Sequence, residues 1–344
     1  MGSSRFVVYL TCRAFMNELT LPELYCPFSY QINKYVDVLE KHALEWMLRF
    51  NLLIDESYYQ YFCKSKIFLL IAGSYPYCDL EELKIANDWL TWMIFLDDYY
   101  DTPYLKNQPE LITKLHNRFF EILNGAEITN QDISYSHALN NLRKRTLQIG
   151  NARWFNFFVC TLSEFLDGCV QEANNRANGI LPDVETYIIL RRLTGGMGPL
   201  FELIEFCNHL MVPYLLRENV ILKKLKMMSN NIICWCNDIY STPKELRIGD
   251  PHNLVLLLKN HQNMSLKHAI KYVAEMHDQE VRNMIELEST LPSLGQELDA
   301  ELDKYILGIH AWIASHFHWY SHSGRYEVTA EKLALGENLQ LAKA

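Results

Sequence analysis

Apolar residues recur at steps of three and four along most of this 344-residue chain, and this spacing constrains its fold more than any other feature. Such spacing gives an α-helix one apolar face. It predicts helices over residues 31–50, 83–101, 184–194, 219–245, 266–288 and 298–320. No segment alternates apolar and polar residues between hairpin turns, as strands of a half-buried sheet would. The sequence therefore predicts an all-α fold.

The composition indicates a globular chain with an acidic balance. Hydrophobic residues make up 49% and charged residues 21%, which excludes a disordered or low-complexity chain. The net charge is −9 and basic residues form no run, so nucleic acids and anionic membranes are poor partners. No apolar run approaches the ~18 residues of a membrane span. Nine cysteines without a CxxC motif predict reduced, buried thiols and a cytoplasmic protein.

Near residue 100 an apolar helical stripe becomes acidic. Leu90 and Met93 are followed at the same spacing by Asp97 and Asp101, so the two carboxylates share one helical face. Asp98 points about 100° away from them. Neighbouring carboxylates on a buried face require cations, and Mg²⁺ prefers such oxygen ligands. The pattern favours a metal site, and its alternative is a solvated acidic helix end.

A second polar stripe follows in the segment 237–245. Asn237, Ser241 and Glu245 are four residues apart, and their amide, hydroxyl and carboxylate oxygens are all suitable for Mg²⁺. Lys244 beside them could contact an anion. Pro243 removes one backbone hydrogen bond from this helix, so we expect a local bend that still directs Glu245 inward. The alternative is a polar exposed face near a helix end.

Two shorter segments add cationic groups. Arg191 precedes the three glycines at positions 195, 196 and 198, which should break a helix and expose its last carbonyl groups. A guanidinium there could clamp a phosphate with two donors. Near the C-terminus, Arg325 could grip a phosphate and Tyr326 could donate a hydrogen bond. Taken alone, these segments could equally be a helix–helix turn and an exposed Arg-Tyr pair.

Together these segments resemble the class I terpene synthases of the bacterial, single-domain type. DDYYD at 97–101 resembles the aspartate-rich DDxxD motif of the family, and NDIYSTPKE at 237–245 resembles its NDxxSxxxE metal motif. Arg191 precedes Asn237 by 46 residues, where the family places its diphosphate-sensing arginine. Supporting stretches are LPELYCPFSYQIN (21–33), GDPHNLV (249–255) and WYSHSGRY (319–326). The pair of metal motifs is the most specific part of the match.

The resemblance implies one α-helical domain over residues 21–328, built around a deep apolar pocket. Residues 1–20 would be an N-terminal extension, which we expect to lack order, and 329–344 a C-terminal tail. The first 15 residues match nothing in the family pattern, and Met16 is an alternative start. Pro243 is a departure within the second metal motif.

The resemblance also implies roles for particular residues. Three Mg²⁺ ions would be held by Asp97, Asp101, Asn237, Ser241 and Glu245. The diphosphate would be bound by Arg191, Lys244, Arg325 and Tyr326. Thr194 and Gly195 match the family's linker and effector residues on the broken helix, next to the catalytic Arg191. Aromatic candidates for the pocket wall are Trp92, Phe95, Phe201 and Trp312.

The implied activity is the Mg²⁺-dependent ionisation and cyclisation of an isoprenyl diphosphate, with farnesyl diphosphate and a sesquiterpene product expected. A diterpene synthase acting on geranylgeranyl diphosphate is one alternative. A chain-elongating prenyl diphosphate synthase is another, but it would carry a second aspartate-rich motif where this chain has Asn237, Ser241 and Glu245. A silent helical binding module would have lost metal ligands that are present here. A homodimer is compatible with all of these.

Overall fold

The computed structural model describes residues 21–326, which form fourteen α-helices and no strand. The helices are α1 (Val36–Arg49), α2 (Glu56–Ser65), α3 (Ile67–Ser74), α4 (Leu80–Tyr100), α5 (Pro109–Leu123), α6 (Ser134–Ile149), α7 (Ala152–Asn178), α8 (Val184–Thr194), α9 (Met197–Cys207), α10 (Tyr214–Arg217), α11 (Val220–Ile248), α12 (Leu254–His261), α13 (Leu266–Glu288) and α14 (Gln296–Tyr320). The predicted all-α class is confirmed. The predicted extension 1–20 and tail 329–344 lie outside the described residues.

The predicted helix bounds agree for α8 and α13 and differ by a few residues elsewhere. The largest difference is at α1, which begins at Val36, five residues later than predicted. The Asn33 side chain explains this, because its amide donates to the carbonyl oxygens of Tyr75 (3.0 Å) and Cys78 (2.9 Å). These bonds fix the preceding segment against the end of α3, so it does not join the helix.

Helix α8, which carries Arg191, begins at a side-chain cap. The Asp183 carboxylate accepts a hydrogen bond from the backbone N–H of Thr186 at 2.8 Å. Such caps satisfy a donor that has no partner within the helix and contribute about 1 kcal/mol. This cap fixes where α8 starts.

The helices pack around α4, which is buried along most of its length. Helix α11 packs on α13, α14 on α3, and α7 on both α8 and α9. Large aromatic side chains fill the interior, among them the fully buried Trp89, Tyr187 and Trp312. Each such side chain contributes on the order of 1.5–3 kcal/mol through its removal from water. This packing fixes the helices that surround the site.

Two surface properties can be compared with the sequence predictions. Of the helices described, none is both long and apolar enough to cross a bilayer. The eight described cysteines are free thiols, but Cys63 on α2 and Cys160 on α7 are exposed. The prediction of buried thiols is wrong for these two, which lie on solvent-facing sides of their helices.

Candidate active site

A cavity opens between α4, α7, α8, α9, α11 and α14. Along α4 its lining passes from Leu90 and Met93 to Asp97 and Asp101. Along α11 it passes from Ile233 to Asn237 and Glu245 and then to Ile248, and along α14 and the segment after it the lining passes from Trp312 and Trp319 to Arg325 and Tyr326. In all three segments apolar side chains are therefore followed by polar ones. The cavity combines an apolar chamber with a set of charged side chains.

Asp97 and Asp101 form what we call the first face, at the C-terminal end of α4. Burial, together with the nearby carboxylates of Asp101 and Asp98, raises the pKa of Asp97 to about 7. Lys244 opposes this shift only partly. A carboxylate in this state is stabilised by any cation that reaches it. The first face therefore has the electrostatic character of a cation site.

Asp98 lies between the first face and the C-terminal segment, and its position was missed by the sequence analysis. The Arg325 guanidinium donates to both of its oxygens, at 3.0 and 3.1 Å, and the Tyr61 hydroxyl donates at 3.2 Å. Lys244 Nζ lies 4.0 Å away. Burial raises the pKa of Asp98, but Arg325 and Lys244 outweigh burial and lower it overall. Asp98 thus holds two of the predicted diphosphate-binding cations in place.

Asn237, Ser241 and Glu245 form the second face, on α11. The Asn237 amide nitrogen donates to the hydroxyls of Tyr320 (2.7 Å) and Tyr326 (2.8 Å), and its oxygen accepts from Arg191 at 2.8 Å. The structure therefore brings Arg191, Asn237 and Tyr326 together.

Arg191 is held by a second acceptor on α11. Its Nε donates to Asp238 at 2.9 Å, and the Tyr187 hydroxyl donates to the other oxygen of the same carboxylate at 2.8 Å. This fixes the guanidinium plane at the side of the cavity where α8 ends.

The far part of the second face follows Pro243. Helix α11 continues through Pro243 to Ile248, and Glu245 lies on the cavity lining as expected. Burial and the nearby Asp238 carboxylate raise the pKa of Glu245 to about 8. Ser241 is buried and does not reach the lining. The second face therefore presents Asn237 and Glu245 to the cavity.

The predicted helix break lies between α8 and α9. Gly196 has φ +67°, a left-handed conformation that favours glycine, and the chain turns there before α9 begins. A Cβ atom on Gly195 would lie 2.3 Å from the Cys234 sulfur, so this position has no room for a side chain. The Thr194 hydroxyl next to it is buried and has no hydrogen-bond partner among the described residues.

A further charged cluster on the lining was not predicted. The Arg176 guanidinium lies 3.5 Å from Asp250, 3.7 Å from Glu172 and 3.9 Å from Asp101. It therefore joins α7 to the first face and to the loop after α11. The GDPHNLV stretch, which contains Asp250, was a sequence signal for this cluster. Glu172 and Arg176 gave no such signal, because their spacing is also that of an ordinary ion pair on a helix surface.

The predicted aromatic wall is correct at Trp312 and wrong at Trp92, Phe95 and Phe201, which do not line the cavity. Trp92 donates its indole N–H to the Tyr135 carbonyl oxygen at 3.0 Å, and Phe95 packs among the rings of α2. Both lie off the helical stripe that joins Met93 to Asp97, so the helical period directs their side chains away from the cavity. The lining aromatics that were missed are Phe165 and Trp319.

The donor set fits Mg²⁺ bound together with an anion. Within residues 21–326, no three His, Cys, Asp or Glu side chains lie close enough to hold a metal ion by themselves. Mg²⁺ usually keeps waters and binds through one or two carboxylates plus substrate phosphates. Two incomplete faces beside Arg191, Lys244 and Arg325 suit that mode of binding.

Comparisons with known proteins agree with this geometry. The family model described as "Terpene synthase family 2, C-terminal metal binding" matches residues 88–283. A germacrene A synthase of Nostoc punctiforme is 50% identical over 94% of this chain and 99% of its own length. A (+)-T-muurolol synthase of Roseiflexus castenholzii is 33% identical over 88% of this chain and 93% of its own.

Solved structures show the same architecture. A germacradien-4-ol synthase from Streptomyces citricolor superposes with a TM-score of 0.78 at 25% identity, covering 88% of this chain and 99% of that one. The family match spans both faces, from Asp97 to Glu245. The chain therefore belongs to the terpene synthase family, as an enzyme of the bacterial class I type.

Proposed function

We propose that this terpene synthase ionises farnesyl diphosphate and cyclises the resulting cation to a sesquiterpene, with release of diphosphate. The observation that carries the proposal is the agreement of three segments, α4, α11 and the end of α14, in changing from apolar to charged residues along one cavity. The names of two relatives support the substrate: a germacrene A synthase and a synthase described as cyclising (2E,6E)-farnesyl diphosphate.

The charged end would bind the diphosphate. The proposed ligands of three Mg²⁺ ions are Asp97, Asp101, Asn237, Ser241 and Glu245. When bound, Mg²⁺ supplies positive charge that stabilises the departing diphosphate oxygens. Arg191 can assist while it stays in place, because a guanidinium has five N–H donors and its bonds to Asp238 and Asn237 use two of them.

Ionisation breaks the bond between the allylic carbon and the diphosphate oxygen, and the electron pair leaves with the oxygen. The remaining cation would lie against an apolar wall that includes Leu90, Met93 and Phe165. This wall excludes water that would quench the cation. The ring faces of Phe165, Trp312 and Trp319 can stabilise it by cation–π contact, each contributing about 0.5–2 kcal/mol. The shape of the wall would select the product.

Incubation of the protein with Mg²⁺ and isoprenyl diphosphates of ten, fifteen or twenty carbons tests this proposal. Diphosphate release and the volatile products are measured together, with a chelator in the control. We expect a cyclic fifteen-carbon product and Mg²⁺-dependent diphosphate release. Preference for the twenty-carbon substrate would assign a diterpene synthase instead. Release from none of the three would overturn the proposed activity.

A further inference from the structure

Asn253 lies directly behind the second face and contacts it through its side-chain amide. Nδ2 donates to Glu245 Oε2 at 2.5 Å and to the backbone oxygen of Asp238 at 2.7 Å. Ser241 Oγ lies 3.3 Å from the same nitrogen. An amide nitrogen carries two hydrogens, so the two short bonds use both, and the longer contact to Ser241 is shared. One side chain therefore touches two of the three residues of the second face.

The other end of the Asn253 amide is fixed as well. Oδ1 accepts hydrogen bonds from the backbone N–H groups of Val255 (2.8 Å) and Leu256 (3.3 Å), which makes Asn253 the N-cap of α12. The residue is fully buried. Because the cap requires the oxygen, the nitrogen can face only the second face. The orientation of the amide is thus determined by both of its ends.

Pro243 explains why such support is needed. Proline has no N–H to donate to the carbonyl of Ile239, so α11 lacks one bond just before Glu245. The Asn253 contacts tie the turns on both sides of Pro243 to α12. A neutral amide can orient the Glu245 carboxylate without cancelling its charge, whereas a Lys or Arg there would compete with a divalent cation. Hydrogen-bond partners of this kind orient metal ligands, and their loss usually weakens metal binding strongly.

We propose that Asn253 is a positioning residue for the metal-binding second face, which holds Ser241 and Glu245 ready for a divalent cation. The proposal rests on the proposed function, since it assumes that this face binds Mg²⁺ together with diphosphate. It assigns no chemical step to Asn253.

Two substitutions separate positioning from helix capping. Asn253→Asp keeps the capping oxygen, loses the donor and places a second carboxylate beside Glu245. Asn253→Ser keeps a capping hydroxyl and is neutral. Asn219 provides the matched control, because it caps α11 at its other end through bonds to the N–H groups of Ile221 (2.9 Å) and Leu222 (3.1 Å). Asn219→Asp and Asn219→Ser change a capping asparagine far from the second face.

The measurements are calorimetric titration of Mg²⁺ in the presence of inorganic diphosphate, the Mg²⁺ dependence of turnover, and thermal unfolding. We expect both Asn253 variants to bind Mg²⁺ about 10–100-fold more weakly. The Asn219 variants should stay within about twofold of the original chain.

Three outcomes would overturn the positioning role. They are unchanged Mg²⁺ binding in both Asn253 variants, an equal loss in the Asn219 variants, and loss of folding in both Asn253 variants, which would assign the residue to the fold alone. Failure of the proposed function is distinguishable, because the original chain would then release no diphosphate from any isoprenyl substrate. If the original chain is active and the Asn253 variants bind Mg²⁺ normally, only the positioning role is wrong.

Discussion

The two faces of the cavity hold their ligand oxygens in opposite ways. On the first face, Asp97 and Asp101 are both acids, and the pKa of Asp97 is raised to about 7 by burial and by its acidic neighbours. On the second face, Asn237 and Ser241 are neutral, and each is already hydrogen-bonded to protein groups. The first face has two carboxylates and too few cations or donors to compensate them. The second face has a single carboxylate, and its neutral side chains already have hydrogen-bond partners.

This difference indicates that the two faces contribute to cation binding in different ways. The first face gains most from an arriving cation, because a cation offsets the repulsion between its two neighbouring carboxylates and the desolvation of Asp97. The second face is stabilised less by the charge of a cation. It contributes more through the fixed orientation of its side chains, since the contacts of Asn237 with Arg191 and Tyr326 exist before any ligand arrives. We therefore expect substitutions on the first face to change electrostatics, and those on the second face to change orientation.

The largest expected effect is that of Asp97→Asn. The change is nearly isosteric but removes a negative ligand, so turnover should fall about 1000-fold, equivalent to ~4 kcal/mol of transition-state stabilisation. The same variant should melt about 2 °C higher without ligands, because it removes a poorly compensated buried charge. Steady-state kinetics and thermal unfolding measure the two effects.

Asp98→Asn is the matched control for this prediction. It should lower the melting temperature, because it leaves the buried Arg325 without its carboxylate partner. Near-normal cyclisation by Asp97→Asn, or melting shifts of the same sign in both variants, would contradict the assignment of the first face.

The next effect is that of Arg191→Lys on the second face. Lysine keeps the charge but cannot span Asn237 and Asp238 as the planar guanidinium does. We expect the ionisation rate to fall about 100-fold, with a smaller change in ground-state binding, because the interaction grows as the bond breaks. Single-turnover kinetics measure the ionisation rate, and KM reports the change in ground-state binding.

Arg192→Lys provides the control, because Arg192 bonds Asn231 at 2.8 Å instead of the second face. Its kinetics should stay close to those of the original chain. Equal losses in the two variants, or unchanged turnover in Arg191→Lys, would remove Arg191 from the diphosphate site.

A smaller effect is expected for the pH dependence of the stabilisation by Mg²⁺ with diphosphate. The pKa values of Asp97 and Glu245 are raised to about 7 and about 8, from ordinary values of 3.8 and 4.5. Between about pH 4 and pH 8 these two groups therefore bind more protons in the folded chain than in the unfolded chain, and their contribution to the stability of the ligand-free protein falls as pH rises. Mg²⁺ with diphosphate should raise the melting temperature by several degrees more at pH 8.5 than at pH 6.

Asp97→Asn controls for the titration of diphosphate itself, since the variant meets the same ligand chemistry. In that variant the difference between the two pH values should shrink. Equal melting shifts at both pH values in the original chain would show that proton displacement plays no part in cation binding.

The smallest effect is expected for Pro243→Ala. The variant regains a backbone N–H, so it should exchange amide hydrogens more slowly around residues 239–250 and keep turnover within about twofold. In the original chain, Mg²⁺ with diphosphate should raise protection in the same segment. Equal protection with and without ligands would contradict this ordering, and loss of activity in Pro243→Ala would show that the interrupted helix itself is needed to aim Glu245.

The sequence predicted the elements of the site better than their connections. Helix α8 and the lining positions of Asp97 and Glu245 follow from local spacing, because helical periodicity determines which side chains share a face. The bond between Asp98 and Arg325 joins residues 227 positions apart, and no local pattern encodes such a contact.

The errors have the same origin. Trp92 and Phe95 were selected by residue type, although their spacing from Met93 places them on other faces of α4. The position of Ser241 follows from spacing, but its contact with Asn253, on the loop after α11, does not. Tertiary contacts decide which of several suitable side chains reaches the cavity, and a single sequence carries little information on them.

The close approach of Gly195 to Cys234 has a consequence for engineering new products. Any side chain at position 195 would overlap the thiol at 234, so a library that varies position 195 alone would consist mostly of clashes. A smaller residue at position 234 would open that space and allow new shapes where α8 gives way to α9. The two positions therefore act as one design variable, and we expect useful variants to change both together.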